Sequence, residues 1–187
     1  MITQLQAVNS LLATVGEQPV DTLSAGVPEA ALALSVLKET SREVQMHEWT
    51  FNRETKVKLQ ADSQGFIYVP ENVLRIDPVD RQFDYTQRGT RLYDKKEHTF
   101  QFKPGLVVEV DLQVELEFDL LPAPAQNYIQ ARANRIFQQR ALGSGTIDNF
   151  TQEQENRAYR LLQDYDFDAG DFNVFDNPQF DYLWRQG

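Results

Sequence analysis

Apolar and polar residues alternate along one long stretch of the chain, residues 106–120. Val107 apart, the odd positions are polar and mostly acidic, and every even position is apolar: Leu106, Val108, Val110, Leu112, Val114, Leu116, Phe118 and Leu120. A period of two residues is typical of a β-strand with one face on a core and one face in water. Most strands have about 5–6 residues. The pattern therefore predicts either one unusually long strand or a strand that runs on past its sheet.

The first 48 residues show the period of amphipathic helices instead. Thr3 can cap a first helix that runs to about Thr14, and Gly16 ends it. Pro28 suits the first position of a second helix, which runs to about Gln45. Each helix carries one apolar stripe, formed by Leu5, Val8, Leu12 and Val15 in the first and by Ala30, Ala33, Leu34, Leu37 and Val44 in the second.

Short strands and turns are predicted between these helices and the long strand. Turn residues cluster at 62–65, and Gly89 can take the positive φ of a hairpin turn between flanking strands. The predicted strands cover residues 54–59, 66–69, 73–76, 83–86, 91–94 and 98–102.

Helical periodicity returns after Pro122, over residues 122–142 and again from Asp148 to about Tyr165. The order of two helices, a β region and two helices predicts an α+β protein. We expect an antiparallel four-helix bundle, residues 1–48 and 121–165, with an inserted, mainly antiparallel β module, residues 49–120.

The last residues, 166–187, interleave acidic and aromatic side chains without a helical or strand period. Such a segment cannot bury its aromatic rings on itself, so we expect an extended C-terminal arm that lies on a surface. The residues expected to contact a partner are Phe172, Phe175, Phe180, Tyr182 and Trp184.

Composition narrows the function classes. The chain has 187 residues, a net charge of −10, no cysteine and two histidines. Disulfides, thiolate chemistry and a histidine metal cluster are therefore not expected, and no cofactor is predicted. The N-terminus lacks a signal-peptide pattern, and the longest apolar run, residues 30–34, is far too short to span a bilayer. The acidic balance disfavours tight binding to nucleic-acid phosphates.

Basic residues gather in one predicted hairpin, whose contact candidates are Arg88, Arg91, Lys95 and Lys96. They form either a solvated tip or a tip that meets an acidic neighbour or DNA. Carboxylates are plentiful, so a carbohydrate hydrolase that uses a carboxylate pair is an alternative.

Several segments, taken in order and spacing, resemble one known family. They are Asn-Ser-Leu-Leu-Ala-Thr-Val-Gly-Glu-Gln-Pro-Val at 9–20, Ser-Arg-Glu-Val-Gln at 41–45, Trp-Thr-Phe-Asn at 49–52, Gly-Phe-Ile-Tyr-Val-Pro at 65–70, Arg-Gly-Thr-Arg-Leu-Tyr-Asp at 88–94 and Leu-Leu-Pro at 120–122. The chain resembles the tail tubular protein A family, the tail adaptors or head-to-tail connectors of short-tailed double-stranded DNA phages. His47 and Glu48 stand where a glycine beside the tryptophan is expected, and the C-terminal arm matches least.

This resemblance implies a structural, non-enzymatic role. Family members form a dodecameric ring between the portal protein and the nozzle protein, tail tubular protein B, and the ring continues the DNA channel without binding DNA specifically. It helps to retain the genome and then to eject it. The protein would be made in the host cytoplasm and reside in the virion, at the head–tail junction. In such a ring the acidic face of the long strand would line the channel or meet a neighbour's hairpin, through Glu109, Asp111, Glu115 and Glu117. A generic adaptor in a non-phage assembly remains a third reading.

Overall fold

The computed structural model describes residues 1–24, 26–142 and 148–175, and the side chains at 142, 148–151 and 171–175 lie outside the description. The described residues form an α+β protein with four α-helices and antiparallel sheets. By backbone proximity the chain divides into two compact units, residues 1–44 with 117–187 and residues 45–116. We call these the helical unit and the β unit. The divisions fall four residues before the boundaries expected from the sequence.

The two N-terminal helices begin and end where the sequence predicts. α1 spans Gln4–Thr14, and Thr3 caps it through a reciprocal pair of hydrogen bonds with Gln6. α2 spans Pro28–Gln45. Their buried faces follow the predicted stripes in part, with Val8, Leu12, Ala30, Ala33, Leu37 and Val44 buried and Leu5, Val15 and Leu34 partly exposed.

The two later helices lie antiparallel against each other. α3 spans Ala123–Leu142 and α4 spans Asp148–Phe175. Tyr128 of α3 meets Tyr159 of α4, with ring centroids 5.0 Å apart. α3 also packs against α1. No helix within the described residues is long and apolar enough to cross a membrane.

Ion pairs join α3 to α2 and to α4. Arg132 donates to Glu43 at 2.7 Å and to Glu155 at 2.9 Å. Nearer the end of α3, Arg140 donates to Glu39 at 3.0 Å. That hydrogen bond, helped by one from Ser35, holds the pKa of the Glu39 carboxyl below its usual range.

The β unit contains a three-stranded sheet and a hairpin. In the sheet, β1 (Arg53–Gln60) and β2 (Val73–Pro78) flank β5 (Val107–Val114), and both pairings are antiparallel. The hairpin pairs β3 (Tyr85–Arg88) with β4 (Arg91–Asp94). Their common core is formed by Ala61, Ile67, Val69, Val73, Ile76, Tyr85, Leu92, Val108, Val110, Leu112 and Val114.

Two β predictions are corrected. The long strand has only eight residues, because β1 and β2 provide no partner after Val114. A 3₁₀ turn follows at Phe118–Leu120, where Phe118 is buried but Leu120 is 69% exposed. The predicted strands at 66–69 and 98–102 are reduced to the single bridges Tyr68–Arg91 and Asp94–Thr99.

The end of α4 corrects the expectation of an extended arm from residue 166. The helix continues to Phe175, so residues 166–175 are helical rather than extended. An exposed helix needs no apolar stripe, and Gly170 costs a helix only about 1 kcal/mol relative to alanine. The absence of a period over these residues therefore did not exclude a helix. Residues 176–187 lie outside the described residues.

Candidate interaction surfaces

A tight hairpin turn places two arginines directly opposite each other. Arg88, the last residue of β3, pairs with Arg91, the first residue of β4, across the turn Gly89-Thr90. Gly89 has a φ of +64°, a conformation that glycine adopts without the usual steric cost. Because directly paired residues of antiparallel strands share a face, the two guanidinium groups extend to the same side of the hairpin.

Aromatic rings support both arginines. The Arg88 guanidinium lies 3.7 Å from the centroid of the Tyr93 ring. The Arg91 guanidinium lies 4.4 Å from the Phe66 centroid and 5.5 Å from the Tyr68 centroid. Such cation–π contacts hold a cation in place while they leave its hydrogen-bond donors available. We call this surface, formed by Phe66, Tyr68, Arg88, Arg91 and Tyr93, the basic-aromatic face.

The other two predicted hairpin cations, Lys95 and Lys96, bond to residues just before β3. Lys95 Nζ lies 2.5 Å from an Asp84 carboxylate oxygen, and the Lys96 ammonium donates to the Gln82 carbonyl. Arg88 and Arg91 have no carboxylate partner among the residues that the structure describes. The four cations expected to act together are therefore divided, and the arginines form the pair that is available for a partner.

The acidic face of β5 is partly neutralised by its neighbour in the sheet. Lys58 of β1 lies 3.6 Å from Glu109, and Arg53 lies 3.3 Å from Asp111. Asp111 also accepts a hydrogen bond from the backbone N–H of Lys56 at 3.0 Å. The other two predicted members of this acidic set lie beyond the strand, since Glu115 follows the last residue of β5 and Glu117 belongs to the helical unit.

The pockets of the β unit offer little for a carboxylate-pair hydrolase. A cavity of about 60 Å³ beside Trp49 contains three carboxylates, Glu48, Asp77 and Asp111, together with Arg53 and Arg75. Each of these carboxylates pairs with one of the two arginines. Ligand pockets are usually about 300–1,000 Å³. This site is too small and too fully ion-paired for a sugar ring.

Two grooves of the same unit are larger. One, about 520 Å³, follows β2 and β3 and contains a single carboxylate, Asp77. The other, about 240 Å³, contains Asp80 and Glu109, and Glu109 is the carboxylate paired with Lys58. In the described part of the chain, no three histidine, aspartate or glutamate side chains gather as a metal site.

The second half of α4 exposes apolar and acidic residues together. Leu161 is 54% exposed and Tyr165 is 39% exposed, and the carboxylates Asp164 and Asp168 lie beside them. Positions i, i+3, i+4 and i+7 share one face of a helix. We call these four residues the acidic-aromatic face. The helical period predicts a buried stripe that includes Leu161, Leu162 and Tyr165, and of these three only Leu162 is fully buried.

The aromatic residues predicted to contact a partner follow this face in the sequence. Phe172 and Phe175 fall in the last part of α4, and their side chains lie outside the described residues. Phe180, Tyr182 and Trp184 lie beyond the described residues altogether. The exposed residues of α4 therefore extend the candidate partner region back to Leu161. In the sequence, the spacing of apolar and acidic residues one helical turn apart indicates this extension.

Comparison with known proteins shows which family this is. Residues 5–172 match the family model described as tail tubular protein. The chain belongs to the tail tubular protein family. It is 29% identical over 167 residues to tail tubular protein A of Klebsiella phage KP34, and the match covers 87% of this chain and 86% of that protein. The resemblance found in the sequence is thus confirmed, and the protein is a structural component of a phage virion tail.

Proposed function

We propose that the protein is the tail adaptor subunit that joins the portal to the nozzle protein, tail tubular protein B. Twelve copies form a ring at the head–tail junction after synthesis in the host cytoplasm. The ring continues the DNA channel, retains the packaged genome and later lets it pass. The observation that carries this proposal is the match to the tail tubular family over almost the whole chain, residues 5–172.

The domain organisation belongs to the same proposal. The helical unit is a four-helix bundle that forms the wall of the ring, and the β unit is an inserted module. The chain leaves the helical unit after Val44 and returns to it at Glu117, which supports an insertion. The module carries the basic-aromatic face, and α4 carries the acidic-aromatic face, so each unit presents a surface to other tail proteins.

The aromatic C-terminal residues supply the attachment to the portal or to a neighbouring subunit. Phe172, Phe175, Phe180, Tyr182 and Trp184 would bury apolar surface in that contact. Deletion of residues 176–187 removes three of these aromatics but leaves α4 intact. We expect the truncated chain to keep its helical circular dichroism and to lose attachment to portal rings. Normal attachment of the truncated chain would refute this assignment.

A non-enzymatic role in DNA passage is supported by charge and by the pockets. The net charge of −10 repels phosphates, which favours sliding over adhesion. Glu109, Asp111, Glu115 and Glu117 remain the proposed channel-lining residues. We expect weak binding to a double-stranded DNA oligonucleotide at physiological salt, and a dissociation constant below about 1 μM would contradict it, because nonspecific DNA binding is usually weaker than that.

The test of the whole proposal is assembly. Mass photometry and negative-stain images of the purified chain, alone and with portal rings, are expected to show a twelve-subunit ring seated on the portal. Phage that lack the protein are expected to yield filled heads that lose their DNA. If no ring or portal complex forms under either condition, the proposal fails.

A further inference from the structure

The basic-aromatic face has an arrangement that costs stability in the isolated chain. Arg88 and Arg91 are directly opposite each other across the hairpin, and like charges in that position destabilise a strand pair. Among the described residues neither guanidinium has a carboxylate partner. Tyr68 adds an apolar ring that is 51% exposed beside Arg91. These features together fit a partner that brings two carboxylates and apolar surface.

The acidic-aromatic face of α4 has the complementary composition. Asp164 and Asp168 are exposed and have no cationic partner within the described residues. Leu161 and Tyr165 provide exposed apolar surface next to them. The two faces therefore supply opposite charges in equal number, each beside apolar side chains.

The spacing of the charges also matches. Residues four apart on a helix have Cβ atoms about 5–6 Å apart, and directly paired strand residues have Cβ atoms about 4.5–5.5 Å apart. The Cβ atoms of the two aspartates on one turn of α4 are therefore about as far apart as the Cβ atoms of the two arginines. An arginine binds a carboxylate through two parallel hydrogen bonds, so the match permits two such pairs at once.

We infer that the acidic-aromatic face of α4 in one copy of this chain docks on the basic-aromatic face of a second copy. This inference rests on the proposed ring and assigns the contact between its neighbouring subunits. Each copy then contacts one neighbour through its acidic-aromatic face and the other neighbour through its basic-aromatic face. Such a head-to-tail contact is of the kind that closes into rings. Two arginines alone form too small a patch to grip DNA, since tight DNA binding needs many phosphate contacts.

Charge exchange between two variants tests the inference. Variant one carries Arg88→Glu and Arg91→Glu, so that both of its faces are acidic. Variant two carries Asp164→Arg and Asp168→Arg, so that both of its faces are basic. Each variant is sedimented together with portal rings. We expect its subunits to associate with one another about 100-fold or more weakly than those of the unchanged chain, because like charges meet at the contact. An equimolar mixture of the two variants is expected to restore rings, because each copy then meets a complementary neighbour.

The controls separate this contact from other causes of failure. Arg81→Glu with Lys103→Glu makes the same charge change at two exposed positions of the β unit and is expected to leave assembly unchanged. Circular dichroism checks that each variant folds. The chain has no cysteine, so Arg88→Cys with Asp168→Cys supplies a second measurement. Oxidation of assembled particles is expected to give a ladder of covalent multimers.

Any one of the following results would overturn the inference. In the first, each charge variant assembles as the unchanged chain does. In the second, the mixture fails to assemble, or oxidation links the two cysteines within one chain. In the third, variant one loses retention of a DNA oligonucleotide while its assembly is intact. Each of these leaves the proposed ring standing if the unchanged chain forms it, whereas absence of any ring from the unchanged chain refutes both.

Discussion

The Glu155 carboxylate lies 2.9 Å from the Arg132 guanidinium, in a part of the helical unit where the Glu155 side chain is only 9% exposed. Arg135 donates to the other carboxylate oxygen at 2.5 Å. Glu155 is thus a buried anion on α4 that is held by two cations of α3. Arg132 extends the network to Glu43 of α2, so three helices are joined through one guanidinium.

Replacement of Glu155 by alanine is expected to destabilise the helical unit by about 2–4 kcal/mol, because it removes the buried anion that two partly buried guanidinium groups share and leaves Arg132 paired with Glu43 alone. Urea unfolding followed by circular dichroism at 222 nm measures the change. Glu153→Ala is the matched control, since it removes the same charge from an exposed position on the same helix. We expect that control to stay within about 0.5 kcal/mol of the unchanged protein. Equal effects of the two substitutions would contradict the role of the network.

Gly65 of the β unit is held in a conformation and a space that only glycine fits. This residue has a φ of +84°, and a Cβ there would lie 2.3 Å from the Phe102 carbonyl oxygen. Gly65→Ala is therefore expected to cost about 2–4 kcal/mol, through both the positive φ and the clash. Gly89→Ala is the control, because Gly89 also has a positive φ but nothing lies within 4 Å of its Cβ position. It should cost about 1 kcal/mol. Urea unfolding followed by near-ultraviolet circular dichroism measures both losses of stability. Similar losses for the two variants would refute the close approach of Gly65 to the Phe102 carbonyl.

Local signals in the sequence are enough to predict where the first two helices begin and where the hairpin turns. Thr3 and Pro28 mark helix starts through the chemistry of their own side chains, and Gly89 marks the hairpin turn in the same way. The pattern overstates the length of the long strand, because its alternation continues after its partners end. Phe118 and Leu120 keep the apolar pattern, but only Phe118 is buried, and the end of a strand depends on neighbours far away in the chain.

The candidate surfaces were less predictable for a related reason. Four cations stand together in the sequence, yet the hairpin register divides them into the arginine pair and two lysines that bond to Asp84 and Gln82. Similarly, the exposure of Leu161 depends on how α4 packs against α3, which periodicity does not show. In contrast, some segments that carry the family resemblance meet in space. Arg91, from one of these segments, stacks on Phe66 and Tyr68, from another.

Gln45 provides a test of how the β unit holds its two chain ends together. Its buried amide donates to the Leu116 carbonyl at 3.0 Å and accepts from the Leu116 N–H at 2.8 Å, as a strand partner would. Gln45→Met keeps the volume but leaves both backbone groups unpaired, so we expect a loss of about 2–4 kcal/mol. Hydrogen exchange at the Leu116 amide should become at least about tenfold faster, since local opening is easier. The Glu115 amide, which bonds to the Asn72 carbonyl, is the internal control and should change less.

The acidic residues of β5 are expected to differ in their contribution to stability, although both face basic residues of β1. Asp111 accepts a hydrogen bond from the Lys56 N–H at the irregularity of β1, where Lys56 has a φ of +57°. Asp111→Ala should therefore cost about 1–2 kcal/mol, because it removes a charge-assisted bond to the backbone. Glu109 makes only an exposed ion pair with Lys58 at 3.6 Å, so Glu109→Ala should cost less than about 0.5 kcal/mol. Urea unfolding at low salt and at 1 M salt measures both effects. Most of the Asp111 effect should persist at high salt, since a hydrogen bond to the backbone is screened less than an exposed ion pair. Disappearance of the Asp111 effect in 1 M salt would instead show that Asp111 acts by charge alone.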